Sequence, residues 1–196
     1  MLTQLSTVKA RLAIPDVDTT NDALLTAAIE AVSARFDQEC GRTLARTENA
    51  THEFDPGDRE LCPPCYPIES VARFELKASE AAGWQEVQPA PDYLIRRGCV
   101  ISLLSALPAP SSSGLARVTY VGGYVLPGAT AGPGQTPLPP HLEQAAIEQV
   151  AYWFQNREKL GAIRYWPKGA VYEQFADLDL LPSVRAVLFQ YRRWLV

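Results

Sequence analysis

Two closely spaced cysteines have the most obvious potential for chemistry in this sequence. Cys62 and Cys65 are separated by two prolines and form a C-x-x-C pair. Such a pair can act as a redox dithiol or supply half of a zinc site. A redox dithiol needs its first cysteine at a helix N-terminus, but Pro67 and the strand pattern that follows predict no helix here. We therefore interpret the segment as a rigid turn with two small apolar side chains.

A zinc site would need two further ligands, and the sequence offers few. His52 and Cys99 are the plausible ones in the same part of the chain, and neither has a partner at ligand spacing. The N-terminus shows no signal peptide, so the four cysteines are expected to be reduced in a cytoplasm. We predict no metal and no cofactor.

The other candidate groups also lack partners for catalysis. Asp16, Asp18 and Asp22 resemble a calcium loop, but the required glycine and glutamate positions hold other residues, so we interpret them as capping residues. His141 lies in the first turn of a predicted helix, where a solvated or capping role is more common than base catalysis. No phosphate-binding glycine motif and no Ser/His/Asp set is present. The sequence therefore predicts a protein that is not an enzyme.

Composition describes an ordinary globular protein. Of its 196 residues, 47% are hydrophobic and 20% are charged. The formal net charge of −4 argues against a protein whose main function is to bind nucleic acid. The longest apolar run, near residues 100–107, is far too short to cross a bilayer, so no membrane association is expected.

Apolar periodicity and helix-end signals predict four helices, over residues 5–13, 22–40 and 138–161 and from Pro182 onward. The third is the clearest, because two prolines open it and Gly161 is a suitable stop. Its apolar stripe is expected to pack on the 22–40 helix.

The middle of the chain predicts strands. Thirteen of the sixteen prolines fall between Pro56 and Pro140, which excludes long helices there. We predict an α+β fold, mainly a helical bundle core with a small antiparallel β-sheet inserted. The expected parts are N-terminal helices at 1–42, a β-rich insertion at 43–123, a Gly/Pro-rich loop at 124–138 and C-terminal helices at 139–196.

Several segments together resemble the head–tail connector, or head-completion adaptor, proteins of tailed bacteriophages. Each segment is a weak motif, and their order and spacing carry the resemblance. They are Leu2–Leu12, Asp22–Ala31, Cys40-Gly41-Arg42, Tyr66-Pro67-Ile68-Glu69-Ser70-Val71, Val118-Thr119-Tyr120-Val121-Gly122-Gly123-Tyr124 and the helix that begins at Leu138-Pro139.

The resemblance implies a structural protein of the virion neck that assembles in the host cytoplasm. Its family forms homo-oligomeric rings, typically of twelve subunits, beneath the portal protein. Such a ring extends the channel for double-stranded DNA, without sequence-specific binding, and offers a surface to the next tail or stopper protein.

The resemblance also suggests two contact surfaces. A C-terminal segment of these proteins often contacts the portal, which by position indicates Arg185, Phe189, Tyr191, Arg192, Arg193 and Trp194. For the contact between subunits, the exposed side of the third helix and the aromatic stretch after it indicate Glu148, Gln155, Tyr165 and Trp166.

Two alternatives stay open. One is a DNA-binding packaging subunit, since the aromatic–basic end of the chain could touch phosphate. The other is a thiol or zinc protein built on Cys62 and Cys65.

Overall fold

The computed structural model describes residues 1–108, 114–157 and 179–193. Within these residues the chain forms two compact units. The helical unit comprises Met1–Cys40, Leu126–Gly128 and the described part of Leu138–Arg192. The β unit comprises Gly41–Val125, Ala129–Pro137 and Arg193.

The helical unit contains α1 (Leu5–Arg11), α2 (Asp22–Cys40), α3 (Pro140–Gln155) and α4 (Pro182–Phe189). Helix α2 buries one apolar stripe, and it ends where Gly41 takes a φ of +61°. Helix α3 begins at two prolines, as expected, and packs against α1, α2 and α4. Its predicted packing on the 22–40 helix is confirmed. It ends at Gln155, ahead of the predicted stop at Gly161, which lies outside the described residues.

The β unit contains two antiparallel sheets. Strands β1 (Thr47–Phe54), β3 (Ile68–Lys77), β4 (Gln85–Glu86) and β7 (Leu115–Gly122) form the larger sheet in the order β1-β7-β3-β4. Strands β2 (Glu60–Leu61), β5 (Tyr93–Arg96) and β6 (Val100–Leu103) form the smaller one in the order β2-β6-β5.

The two sheets share one hydrophobic core. In β7, alternate residues Ala116, Val118 and Tyr120 are buried, as the period of two along a strand requires. They pack in one cluster with Phe74 of β3 and with Ile101 of β6. Cys65, in the turn at Cys62–Cys65, is also part of this shared core.

The α+β class is therefore confirmed, but the prediction of a mainly helical bundle core with a small inserted sheet is wrong. Helix accounts for 30% and sheet for 26% of the described structure. Among the described residues, the β region has its own core of twelve buried side chains and forms a compact unit.

Candidate assembly surfaces and the motif clasp

Three segments that carry the family resemblance meet inside the β unit. The guanidinium carbon of Arg42 lies 3.2 Å from the ring centroid of Tyr66 and 5.4 Å from that of Tyr124. Arg42 also donates a hydrogen bond to the carbonyl oxygen of Tyr66 and is only 5% exposed. A desolvated cation–π contact contributes about 2 kcal/mol. We call Arg42, Cys65, Tyr66, Tyr120 and Tyr124 the clasp.

Cys65 joins the clasp through its backbone and its thiol. Its N–H donates to the hydroxyl oxygen of Tyr120 at 3.0 Å. Its buried thiol donates to the carbonyl oxygens of Gly122 at 3.1 Å and Ala45 at 3.5 Å. The thiol therefore ties strand ends together. This geometry favours the structural interpretation of the C-x-x-C turn over a redox role.

The turn at Cys62–Cys65 is not helical, and neither cysteine forms a disulfide with another described residue. Within residues 1–108, 114–157 and 179–193, no group of three or more His, Cys, Asp and Glu side chains is placed to hold a metal ion.

Two consecutive glycines allow the clasp to close. A Cβ on Gly122 would lie 2.5 Å from the carbonyl oxygen of Cys65, and one on Gly123 would lie 2.5 Å from that of Ala45. Gly123 also has a φ of +100°, a conformation that side-chain-bearing residues rarely adopt. The Gly-Gly pair thus serves close backbone packing.

Burial raises the pKa of Tyr120 to about 12, and the hydrogen bond from the Cys65 N–H opposes that rise. The folded pKa lies above the ordinary value of 10.0. The neutral phenol therefore contributes stability that is fully present below about pH 10 and is lost as pH rises toward 12.

We expect the stability advantage of the wild type over Tyr120→Phe to shrink between pH 9 and pH 11.5. Phenylalanine keeps the ring but cannot ionise in the unfolded chain, so the difference between the two proteins isolates this hydroxyl. Urea unfolding of both proteins across this range measures it. A constant difference would show that Tyr120 ionises equally easily in both states.

Two of the predicted portal-contact residues, Arg185 in α4 and Arg192 after it, lie in a network of ion pairs. Arg185 pairs with Asp179, and Arg192 pairs with Glu39 at 3.1 Å. Arg35 lies between them, 3.1 Å from Glu39 and 3.6 Å from Asp179. We call these five residues the charge network. The hydrogen bond from Arg185 is the main cause that lowers the pKa of Asp179, so the carboxylate is held in its charged form.

The remaining predicted portal-contact residues are in varied settings. Phe189 is 55% exposed at the end of α4. The hydroxyl of Tyr191 hydrogen-bonds to the ring of His141 in α3. Arg193 belongs to the β unit and donates to the carbonyl oxygen of Cys62. Trp194 lies outside the described residues.

Two of the four predicted subunit-interface residues lie among the described residues. Glu148 accepts a hydrogen bond from Gln144 at 3.1 Å on the outer side of α3, and Gln155 is exposed at the end of that helix. Tyr165 and Trp166 fall outside the described residues. The structure therefore places two of the four on the solvent side of α3.

Gln149 was not recognised from the sequence. It is fully buried, and its side-chain oxygen accepts the backbone N–H of Leu181 at 2.8 Å. Its amide nitrogen lies 3.5 Å from the carbonyl oxygen of Asp179. Its position, three residues after Ala146 and one before Val150, places it on the apolar stripe. A glutamine on an otherwise apolar stripe indicates that its amide needs a hydrogen-bond partner in the core.

None of the helices in the described part of the chain is long and apolar enough to span a bilayer.

No protein-family model and no curated protein matches the sequence. Solved structures do match the fold. A chain from the neck of an empty GTA particle, computed with C6 symmetry, superposes with a TM-score of 0.64 at 17% identity, covering 98% of this chain and 90% of that one. A chain from the neck of a native GTA particle, computed with C12 symmetry, gives 0.51 at 19% identity and covers 89% and 84%. GTA denotes a phage-like gene transfer agent. This chain shares the fold of these neck chains.

Proposed function

We propose that this protein is a structural head–tail adaptor in the neck of a tailed phage or phage-like particle. The observation that carries the proposal is the match to a neck chain over 98% of this sequence, with a TM-score of 0.64. The ordered sequence motifs point to the same class of protein independently of that comparison.

In this proposal the subunits form a ring, typically of twelve, beneath the portal. The structures with the same fold come from necks with C6 and C12 symmetry, which supports a cyclic assembly. A ring needs two different patches on each subunit, because head-to-tail contacts close only when unlike surfaces meet. The ring extends the DNA channel, and the net charge of −4 suits a lumen through which DNA slides without binding.

The portal-facing surface in this proposal is the segment that follows the start of α4. Arg185 and Arg192 are tied to acidic residues of their own chain, yet each side chain is half-exposed. Together with exposed Phe189 they present cationic and apolar groups to a partner. Tyr191, Arg193 and Trp194 stay predicted portal contacts, and the proposed location of the protein is the capsid vertex.

The full chain mixed with the portal protein of its particle should form a cyclic oligomer, seen by native mass spectrometry and electron microscopy. The free chain can stay monomeric until the portal templates the ring, so the mixture is the decisive sample. A chain that stays monomeric in the presence of portal would refute the proposal.

In the same assay Glu148→Lys tests the outer side of α3: impaired rings would place that side at a subunit boundary, and unchanged rings would leave it solvated.

A further inference from the structure

Arg192, which follows α4, is held at the end of α2. Its Nε donates to the carbonyl oxygen of Glu39 at 3.2 Å, and its Nη2 donates to Oε2 of the same residue at 3.1 Å. Both residues belong to the helical unit. One residue of α2 therefore fixes an arginine of the proposed portal surface.

The Glu39–Arg192 pair is accessible to solvent on its arginine side. The Arg192 side chain is 50% exposed, whereas that of Glu39 is 24% exposed. A partner can thus reach the guanidinium without unfolding a helix. Ion pairs that are exposed to this degree contribute little to stability, because water screens them and ordering two long side chains costs entropy. A competing anion can therefore displace Glu39 at low cost.

Glu39 keeps a counter-ion when Arg192 leaves. Its other carboxylate oxygen, Oε1, accepts a hydrogen bond from Arg35 at 3.1 Å, and Arg35 lies one helical turn earlier in α2. Breaking an ion pair is most costly when one charge is left without a partner. Displacing Arg192 leaves no such isolated carboxylate, so the pair can open without disturbing α2.

The position of Glu39 is unfavourable for an acidic residue. It lies in the last turn of α2, which contains no basic residue. The helix macrodipole places partial negative charge at this end, so a carboxylate is repelled there. The bound arginines offset that repulsion in the free chain. A carboxylate at this position is explained if its role is to hold a cation.

Arg192 suits a carboxylate as its exchange partner. It binds one carboxylate oxygen and one carbonyl oxygen at the same time, so two of its N–H groups point to one side as a fork. The two oxygens of an acidic side chain match such a fork and form a charge-assisted pair of hydrogen bonds. An acidic side chain of the portal would thus bind Arg192 at least as well as Glu39 does.

We propose that the Glu39–Arg192 pair is a latch that occupies part of the portal surface in the free subunit. A portal carboxylate replaces Glu39 during assembly, and Arg35 alone then neutralises Glu39. The latch rests on the proposed function, because it requires that the end of the chain contacts the portal. It lowers the affinity of the free chain for any partner that offers no acidic group at this place.

Glu39→Gln tests the latch in the full-length chain. Without the competing carboxylate, Arg192 is available to the portal, and binding should tighten about two- to fivefold, the range expected for a half-exposed ion pair. Isothermal titration of the variant with portal measures this change. Glu30→Gln is the matched control, because it removes an exposed carboxylate from the same helix and should bind as the wild type does. The melting temperature of either free variant should shift by less than about 4 °C.

A double variant separates a latch from general electrostatic repulsion. Glu39→Gln combined with Arg192→Gln should bind portal no better than Arg192→Gln alone, because the gain requires the arginine. If Glu39→Gln tightens binding equally with and without Arg192, the carboxylate merely repels the portal and the inference is wrong. Weaker portal binding by Glu39→Gln at an unchanged melting temperature would also overturn it, because the pair would then hold the surface in its binding shape.

Double-stranded DNA provides the last comparison. If Glu39→Gln tightens binding to DNA, measured by fluorescence anisotropy at the same salt concentration, but not binding to portal, the released arginine contacts phosphate and the latch is wrong. Each of these contrary results leaves wild-type rings on portal, and therefore the proposed function, intact. A wild-type chain that neither binds portal nor forms a ring would instead refute the proposed function, and the latch with it.

Discussion

Replacing Gly123 with alanine should destabilise the β unit by more than about 3 kcal/mol or prevent it from folding. The new Cβ would lie 2.5 Å from the carbonyl oxygen of Ala45 and 2.8 Å from the Cα of Arg46. Both are backbone atoms, so no side-chain rotation relieves the overlap. The φ of +100° adds strain that alanine cannot avoid. Denaturant unfolding monitored by tryptophan fluorescence measures the loss.

Gly134→Ala is the matched control for this substitution. Gly134 also has a positive φ, of +78°, but a Cβ there would meet nothing within 4 Å. Its cost should be limited to the backbone conformation, at about 1 kcal/mol. Equal losses for the two variants would mean that the close approach of Ala45 does not matter. Our account of why the motif carries two glycines would then be wrong.

Replacing Gln149 with leucine should cost about 2–3 kcal/mol of stability. Leucine has nearly the same size, so the effect comes from the N–H of Leu181, which would lose its buried acceptor. That hydrogen bond holds the chain one residue before α4 begins. Because the proposed portal surface follows, the variant should also bind portal more weakly than its stability alone accounts for. Unfolding curves and portal pull-down of the folded variant measure the two effects.

Gln155→Leu provides the control on the same helix. Gln155 is exposed, and a change there should stay within about 0.5 kcal/mol. If Gln149→Leu is as stable as the wild type, the buried amide is not what anchors α4. If it is destabilised but binds portal normally once folded, Gln149 supports the core without positioning the portal surface.

Local signals predicted most helices and strands well. Residues 22–40 were predicted as a helix and form α2 between Asp22 and Cys40. All seven strands of the described residues lie within the predicted β-rich region at 43–123. These successes share a physical cause, because capping residues, glycine stops and apolar periods act within a few residues of the chain. The two-residue strand β2 was missed, since only its pairing with β6 defines it.

The size of the β unit could not be predicted in the same way. Its larger sheet places β7 between β1 and β3, strands that precede it by many residues. Short strands separated by prolines look like an insertion when taken one at a time. Their shared core exists only once both sheets pack against each other, which is a property of long-range pairing.

The same difference between local signals and long-range contacts applies to the candidate surfaces. The sequence alone indicated an aromatic–basic end, a net acidic chain and motifs of a neck adaptor. Only the tertiary structure paired Arg192 with Glu39, 153 positions away, and placed Arg42 over Tyr66. The sequence by itself determined local elements, because these depend on neighbouring residues. Tertiary structure decided which polar groups hold the fold and which remain for a partner, because pairing and burial are set by residues distant in the chain.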